Sequence, residues 1–355
     1  MEAIVLVGGQ GTRLRPLTIG TPKPMLPAAG VPFLTHQLAR ARAAGVDHVV
    51  LATSYRAEVF AAHFGDGSSL GLRLDYVTER EALGTGGGIR NVADRLESAP
   101  GDPVLILNGD ILSGHDIVAQ VAAHRAARAA VTLHLVRVAD ARAFGSVPTD
   151  AEGRVTAFVE KSPEPVSDQV NAGCYVFSRE VIDAIPAGRV VSVERETFPE
   201  LLQSGRLIVG HVDDAYWLDV GNPAAYIKAS ADLVRGVIAS PAVDLPGEAW
   251  LADGTEVVAD AQVCGGASIG PGALVQAGAR VDGSIVMTGA GIGADSHIVR
   301  SVVGRNAQIG AGCVLVDAVV GDGARIGAGN ELAAGARIWP GITVPDVAIR
   351  FSSDI

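Results

Sequence analysis

Over the first two thirds of the chain, short runs of Val, Leu and Ile alternate with longer Ala-rich stretches whose apolar residues recur at helical spacing. The runs Ala3–Val7, His48–Ala52, Arg73–Val77, Val104–Leu107, Val131–Val138, Arg154–Val159 and Ala172–Phe177 predict strands. Phe33–Ala44, Ala57–Phe64, Gly87–Leu96, His115–Arg128 and Ala224–Arg235 predict helices, the first of them closed by Gly45 as a C-cap. Strands alternating with helices predict an α/β domain over residues 1–236, with a mainly parallel sheet covered on both faces and ligands beyond the carboxyl ends of its strands.

After Arg235 the pattern changes. Residues 237–250 carry Pro241 and Pro246 and read as a linker. Beyond them aliphatic residues recur every six positions at Val257, Val263, Ile269, Val275 and Val281, then at Val286, Ile292, Ile298, Val303, Ile309, Leu315, Val320, Ile326, Leu332, Ile338 and Val344. Steps of this kind mark a hexapeptide repeat. Three hexapeptides make one triangular coil, so residues 251–355 predict a left-handed parallel β-helix with these side chains stacked inside it. The steps 281 to 286, 298 to 303 and 315 to 320 are one residue short and recur every 17 residues, which places them at one corner of successive coils. A disordered Gly/Ala tail gives no reason for that register. An uncovered end coil invites pairing, so the solenoid is expected to pack on the first domain or on another subunit.

A chain of 355 residues is too long for one ordinary core, in keeping with two domains. It has no apolar stretch of membrane-spanning length and no basic, hydrophobic leader, so a soluble cytoplasmic protein is expected, with no membrane partner. Cys174, Cys264 and Cys313 are scattered, which predicts buried reduced thiols and neither a disulfide framework nor a zinc site. The net charge of −11 argues against a nucleic-acid partner. An anionic ligand must therefore meet a local cluster of positive charge.

Such a cluster follows the first strand, in Leu6-Val-Gly-Gly-Gln-Gly-Thr-Arg-Leu-Arg-Pro-Leu-Thr18 and Pro22-Lys-Pro24. Gly8, Gly9 and Gly11 allow a sharp turn and close backbone approach to a ligand. Thr12 adds a hydroxyl, Arg13 and Arg15 add guanidinium forks, and Lys23 a point charge, all suited to phosphate oxygens. The Walker A and dinucleotide-binding patterns do not fit, because no Gly-Lys-Ser/Thr follows Gly11 and Leu14 stands where the second pattern needs glycine. Asp110, in Leu107-Asn-Gly-Asp110, ends a very apolar strand, and Asp219, in Tyr216-Trp-Leu-Asp-Val-Gly221, lies far from it in sequence. Each is open to reading as a turn or capping residue, and the two together as holders of a cation.

In this order the residues of the loop resemble the signature of the sugar-nucleotide pyrophosphorylases, G-G-x-G-T-R-L-x-P-L-T followed by P-K-P. The resemblance implies a Rossmann-like nucleotidyltransferase domain in which Leu6, Gly8, Gly9, Gly11, Thr12, Arg13, Lys23, Asn108 and Gly109 bind the nucleotide and Asp110 and Asp219 hold Mg2+. It implies that Lys161 contacts the sugar 1-phosphate, and that Glu160, Asn171 and Gly145 of the Phe144-Gly145 step line the sugar. Glu81-Ala-Leu-Gly84-Thr85-Gly-Gly87 is similar to the base-side segment E-P-L-G-T-A-G of mannose-1-phosphate guanylyltransferases, with Ala82 for Pro and Gly86 for Ala; it adds Gly84 and Thr85 to the nucleotide site. Glu79 is a further candidate, for the guanine amino edge. Thr85-Gly-Gly-Gly-Ile-Arg90, Val193-Glu-Arg-Glu196 and the ending Ile-Arg-Phe-Ser-Ser-Asp resemble the actinobacterial GDP-mannose pyrophosphorylases.

What this implies is in-line attack by mannose 1-phosphate on the α-phosphorus of GTP, giving GDP-mannose and pyrophosphate, with Arg13, Lys23, Asp110, Lys161 and Asp219 as the catalytic set. A homo-oligomer with contacts through the β-helix is expected. Three alternatives remain open on the residues: a related enzyme using UTP, dTTP or ATP with glucose 1-phosphate, a non-catalytic regulatory subunit that binds sugar nucleotides, and acyl transfer, for which the repeat region offers His297.

Overall fold

The computed structural model describes residues 1–350 apart from Tyr55 and Leu245, so the Phe351–Asp354 part of the expected C-terminal motif lies outside the described residues. Contacts divide the chain into two compact units. One comprises Met1–Gly9 and Gln37–Trp217; the other comprises Gln10–His36 and the residues from Leu218 onward. The Gly-rich stretch after the first strand therefore passes from one unit to the other.

The first unit is built on one mixed sheet. Its strands run in the order Val159–Glu160, Gly145–Ser146, Gln169–Ser178, Pro103–Asn108, Glu2–Leu6, His48–Thr53 and Arg73–Thr78, with Val131–Arg137 and Ile208–Val212 continuing beside Gln169–Ser178. Glu2–Leu6 is parallel to both neighbours, Leu6 facing Ala52 on one side and Asn108 on the other. Its residues Ala3, Ile4 and Val5 are wholly buried, as strands covered on both faces require. Gln169–Ser178 runs antiparallel to Pro103–Asn108 and to Val131–Arg137, so the parallel block ends there. The expected strand Arg154–Val159 is reduced to two isolated bridges, Thr149 to Val155 and Arg154 to Val209, followed by the Val159–Glu160 pair. Ile208–Val212 is a strand that the alternation of residues did not reveal.

The helix expected from Gly87 begins at Gly84 and ends at Asn91, with a separate turn at Ala93–Arg95. Three consecutive glycines are poor helix formers, and here tertiary contact overrides propensity. A Cβ at Gly86 would lie 2.8 Å from Val191 Cγ1, at Gly87 2.7 Å from the Arg189 carbonyl oxygen, and at Gly88 2.6 Å from Glu79 Oε1. The helix is glycine-rich because it is pressed against the Val191 and Glu79 side chains and the Arg189 backbone.

Two buried histidines give this unit a pH dependence. His134 stacks on His115 with ring centroids 3.7 Å apart, and neither ring nitrogen of His134 has a hydrogen-bond partner among the described residues. His115 binds Ser113 Oγ and Gln120 Oε1. Burial, then the neighbouring His115, brings His134 down to about 2; burial, then the Arg40 guanidinium, brings His115 down to about 4. Below about pH 6.5 the unfolded chain protonates these rings while the folded chain does not, so their contribution is complete above that pH and is lost as the pH falls toward 4. Thermal unfolding at pH 7, 6 and 5 should show a declining melting temperature, and His134→Phe should make the decline shallower by a few degrees. Identical slopes for the two proteins would refute the assignment to His134.

In the second unit the helix Pro223–Val234 is capped by Asn222, whose side chain accepts the Ala225 N–H at 2.9 Å. The remaining chain winds through three parallel sheets, the arrangement of a left-handed parallel β-helix. Equivalent residues pair 17 apart, Val286 with Val303, Ile292 with Ile309 and Ile298 with Leu315, and the inward aliphatics form a continuous buried column. The short steps do fall at one corner, where Gly283, Arg300 and Asp317 have positive φ and Arg300 pairs with Asp317 at 2.8 Å. Ser284 and Ser301 form a ladder there, each hydroxyl accepting an N–H from the coil above.

One sheet differs on its outer side. In the sheet containing Ala267–Ile269, Ile285–Val286, Val302–Val303 and Val319–Val320, the outward residues Ile285, Val302 and Val319 are only 2%, 0% and 2% exposed. Outward positions of the other two sheets include the exposed Gln262, Arg280, His297, Gln308 and Arg325. The helix Pro223–Val234 packs on Ala267–Ile269, and Trp250 of the same sheet lies against Gly30. What the chain covers is thus a side of the prism. Among the described residues no helix is long and apolar enough to cross a membrane. Cys174 and Cys313 are buried free thiols, as expected, and burial pushes Cys174 up to about 12; Cys264, expected to be buried, is only partly covered on the outer part of its coil.

Candidate active site

In the first unit the candidates gather at the carboxyl ends of the central strands. Leu6 ends Glu2–Leu6, and its carbonyl accepts the Gly109 N–H at 2.9 Å. A Cβ on Gly109 would sit 2.6 Å from that same oxygen, so only glycine fits the turn between Asn108 and Asp110. Gln37 fastens the turn, its Nε2 donating to the carbonyls of Asn108 and Ile111, both at 2.8 Å. Asp110 is thereby held half-buried beyond the Pro103–Asn108 strand. Gly8 is fixed through its carbonyl, which accepts the Ser54 hydroxyl.

Gly84 and Thr85 open the glycine-rich helix. The Thr85 hydroxyl donates to Glu194 Oε2 at 2.7 Å and accepts the Val193 N–H at 2.9 Å. Its side chain is therefore occupied in tying this loop to the Val193–Thr197 turn. Glu79 serves a similar end, since its Oε2 accepts the Leu83 N–H at 3.3 Å, and burial raises its carboxyl above the usual range.

The four sugar-side candidates fall into two groups. Gly145 pairs with Glu160, and a Cβ at 145 would meet Glu160 Oε2 at 2.8 Å and the Phe158 ring at 3.0 Å. Lys161 follows with φ +46°, its Nζ exposed and 3.6 Å from Glu160 Oε1. Asn171 sits where the Gln169–Ser178 strand shifts register, donating to the buried Tyr175 hydroxyl at 2.9 Å and accepting the Gly173 N–H at 3.1 Å.

The other candidates belong to the second unit. Gly11 has φ +60°, and its carbonyl accepts the Thr18 hydroxyl at 2.8 Å. The loop then makes a tight turn over Thr12–Leu14 that buries Leu14 and leaves Thr12, Arg13 and Arg15 exposed, so the apolar residue anchors and the polar ones face outward. Lys23 opens a second turn, Lys23–Met25, and its Cβ packs close to Gly11. The Arg13 guanidinium lies over Gly221, two residues beyond Asp219, where a Cβ would be 2.8 Å from Nη2. Thus Gly11 and Lys23 come together, as do Arg13 and the Asp219–Gly221 turn.

Residues 2–236 match the family model described as nucleotidyl transferase, and residues 245–348 match that of the GMPPB C-terminal domain. The chain belongs to the nucleotidyl transferase family. Mannose-1-phosphate guanylyltransferase of Mycobacterium tuberculosis is 58% identical, the match covering 100% of this chain and 99% of that protein. The catalytic subunit beta of the enzyme of the same name in Xenopus tropicalis is 35% identical over 67% of this chain and 66% of its own. Among solved structures, HddC from Yersinia pseudotuberculosis complexed with GMP-PN aligns with a TM-score of 0.55 at 28% identity, over 64% of this chain and 97% of that one.

Nucleotidyl transferases of this family generally work with a divalent metal. Among the described residues no group of three His, Cys, Asp or Glu side chains is placed to hold an ion. Magnesium is ordinarily held by one or two carboxylates together with substrate phosphates. Asp110, in the first unit, and Asp219, in the second, are each a single carboxylate of that kind.

Gln37, Ser54 and Glu194 are residues of this nucleotidyl transferase that the sequence did not single out. A signal existed for Gln37, a polar residue flanked by Leu34 and Leu38 on a helix, which in the fold is 6% exposed. Glu194 lay within the quoted Val193-Glu-Arg-Glu196 segment but was given no role, and Ser54 carries no mark, because their partners are distant in sequence.

Proposed function

We propose that this protein transfers a guanylyl group from GTP to mannose 1-phosphate. An oxygen of the sugar phosphate attacks the α-phosphorus in line, the bond to the bridging oxygen of the β-phosphate breaks, and pyrophosphate leaves with that electron pair. The observation that carries this reading is the full-length identity of 58% to a mannose-1-phosphate guanylyltransferase in a chain whose phosphate loop is complete from Gly8 to Lys23.

Arg13 and Lys23 take the β- and γ-phosphates, and the backbone of Gly8, Gly9, Gly11 and Thr12 lies along the nucleotide with Leu6, Asn108 and Gly109. Gly84 and Thr85 meet the base. Lys161 receives the sugar phosphate, while Gly145, Glu160 and Asn171 line the sugar. Asp110 and Asp219 hold Mg2+, which offsets the charge that builds on the phosphate oxygens. No protein nucleophile is needed, because a phosphate monoester is already ionised near neutral pH; the chain's contribution is position and charge. A cytoplasmic location and self-association through the β-helix complete the proposal.

The test is pyrophosphate release and sugar-nucleotide formation by the purified chain with Mg2+, set side by side for GTP, UTP, dTTP and ATP with mannose 1-phosphate and glucose 1-phosphate. GTP with mannose 1-phosphate is expected to give the highest kcat/KM. A higher value for another pair would replace this reading with that of a related nucleotidyl transferase, and no release from any pair would leave a regulatory subunit.

A further inference from the structure

The loop bearing Arg13 and Lys23 is held at two points by side chains of the repeat region. Arg337 Nη1 donates to the Arg13 carbonyl at 3.0 Å and to the Arg15 carbonyl at 2.7 Å. Arg305 Nη1 donates to Thr21 Oγ1 at 3.1 Å and is itself steadied by Asp322, which accepts the Arg305 backbone N–H at 2.8 Å and pairs with its guanidinium at 3.6 Å. Both arginines belong to the same compact unit as the loop.

We propose that Arg337 is a positioning residue for nucleotidyl transfer, through which the β-helix sets the direction of the phosphate-binding loop. The proposal rests on the function given above, in that the loop is taken to hold the leaving phosphates.

Three features support it. The turn Thr12–Leu14 has no side-chain cap at its start, and Arg337 supplies donors to carbonyls at its centre and just past its end. One nitrogen with two hydrogens, bonded to carbonyls two residues apart, fixes the backbone on both sides of Leu14 and so aims the Arg13 side chain. Arg337 also occupies the outward row that holds Ile285, Val302 and Val319 in the preceding coils, pairing directly with Val319. That row is covered as far as Val319, and it ends in an exposed arginine that donates to the loop's carbonyls. A guanidinium displaced by about 1 Å from its phosphate is enough to cost on the order of a hundredfold in rate.

Arg337→Ala and Arg337→Lys are compared with Arg280→Ala, which removes a β-helix arginine that pairs with Asp282 on another sheet. Amide hydrogen exchange over residues 11–17 should quicken by about tenfold or more in Arg337→Ala and stay unchanged in Arg280→Ala, the melting temperatures of all three staying within a few degrees of the parent. In the same Arg337→Ala protein the KM for the nucleotide should rise by about tenfold with that for the sugar phosphate unchanged, and Arg337→Lys should recover part of the loss. Unchanged exchange over residues 11–17, or parent kinetics for both substrates, overturns the proposal. So does a fall in melting temperature that brings equal losses for both substrates, since that is a purely structural role. Hydrogen exchange uses no substrate, so it decides this inference even where the assay of nucleotides and sugars displaces GTP and mannose 1-phosphate.

Discussion

Asp110→Ala is expected to lower kcat by about a thousandfold while the protein keeps its fold. Asp110 stands in a turn that Gln37 and the Leu6 carbonyl hold through the backbone, and these bonds remain when the carboxylate is removed. What is lost is one of two single carboxylates proposed to hold the ion. With so few protein ligands, each accounts for a large share of the binding. Asp110→Asn should keep a neutral oxygen ligand and show a higher Mg2+ concentration for half-maximal rate. Steady-state rates over a magnesium titration, with a melting curve for each protein, make the comparison. Turnover near the parent's in folded Asp110→Ala would remove this residue from the metal site.

Arg13→Ala should cost about a hundredfold to a thousandfold in kcat/KM for the nucleotide. The guanidinium is exposed, its backbone is bound by Arg337, and the turn is anchored by buried Leu14, so the side chain is dispensable for the loop's own stability. Arg13→Lys should recover little, since a point charge does not reproduce a fork that meets two phosphate oxygens. The reverse reaction gives the sharper reading: the KM for pyrophosphate should rise in Arg13→Ala, and the affinity for the sugar phosphate should not move. Equal effects on both would mean that Arg13 acts on the whole loop and not on the leaving group.

The loop from Gly8 to Lys23 could be proposed for phosphate from sequence because its residues are contiguous and each has a chemistry that phosphate requires. The β-helix was legible for another reason, since a six-residue period shortened once in each of three successive coils leaves a mark that survives any choice of outward residue. Contacts across long separations left no such mark. Glu194 holds Thr85 and Ser54 holds Gly8, yet nothing in the sequence announces either pairing. The Gly84–Asn91 helix was misplaced at its start because its glycines argue against helix until Val191, Arg189 and Glu79 are seen against them. Arg154–Val159 has the composition of a strand but finds isolated bridges at Arg154 and Val155 and a strand partner only at Val159. The doublets Ile285-Val286, Val302-Val303 and Val319-Val320 were readable and went unread: a second apolar residue beside each inward one announces a covered outer side.

That covered side bears on how relatives of this chain can be recombined. The family models part between residues 236 and 245, which invites joining one protein's front to another's repeats at that seam. Packing draws its line elsewhere, for Gln10–His36 and the helix Pro223–Val234 share a compact body with the coils. A chimera spliced at the seam would set foreign valines and isoleucines against a helix shaped for others, and would face Arg13 and Arg15 with whatever side chain the donor carries at the place of Arg337. Exchanging the coils together with those two front segments preserves the match.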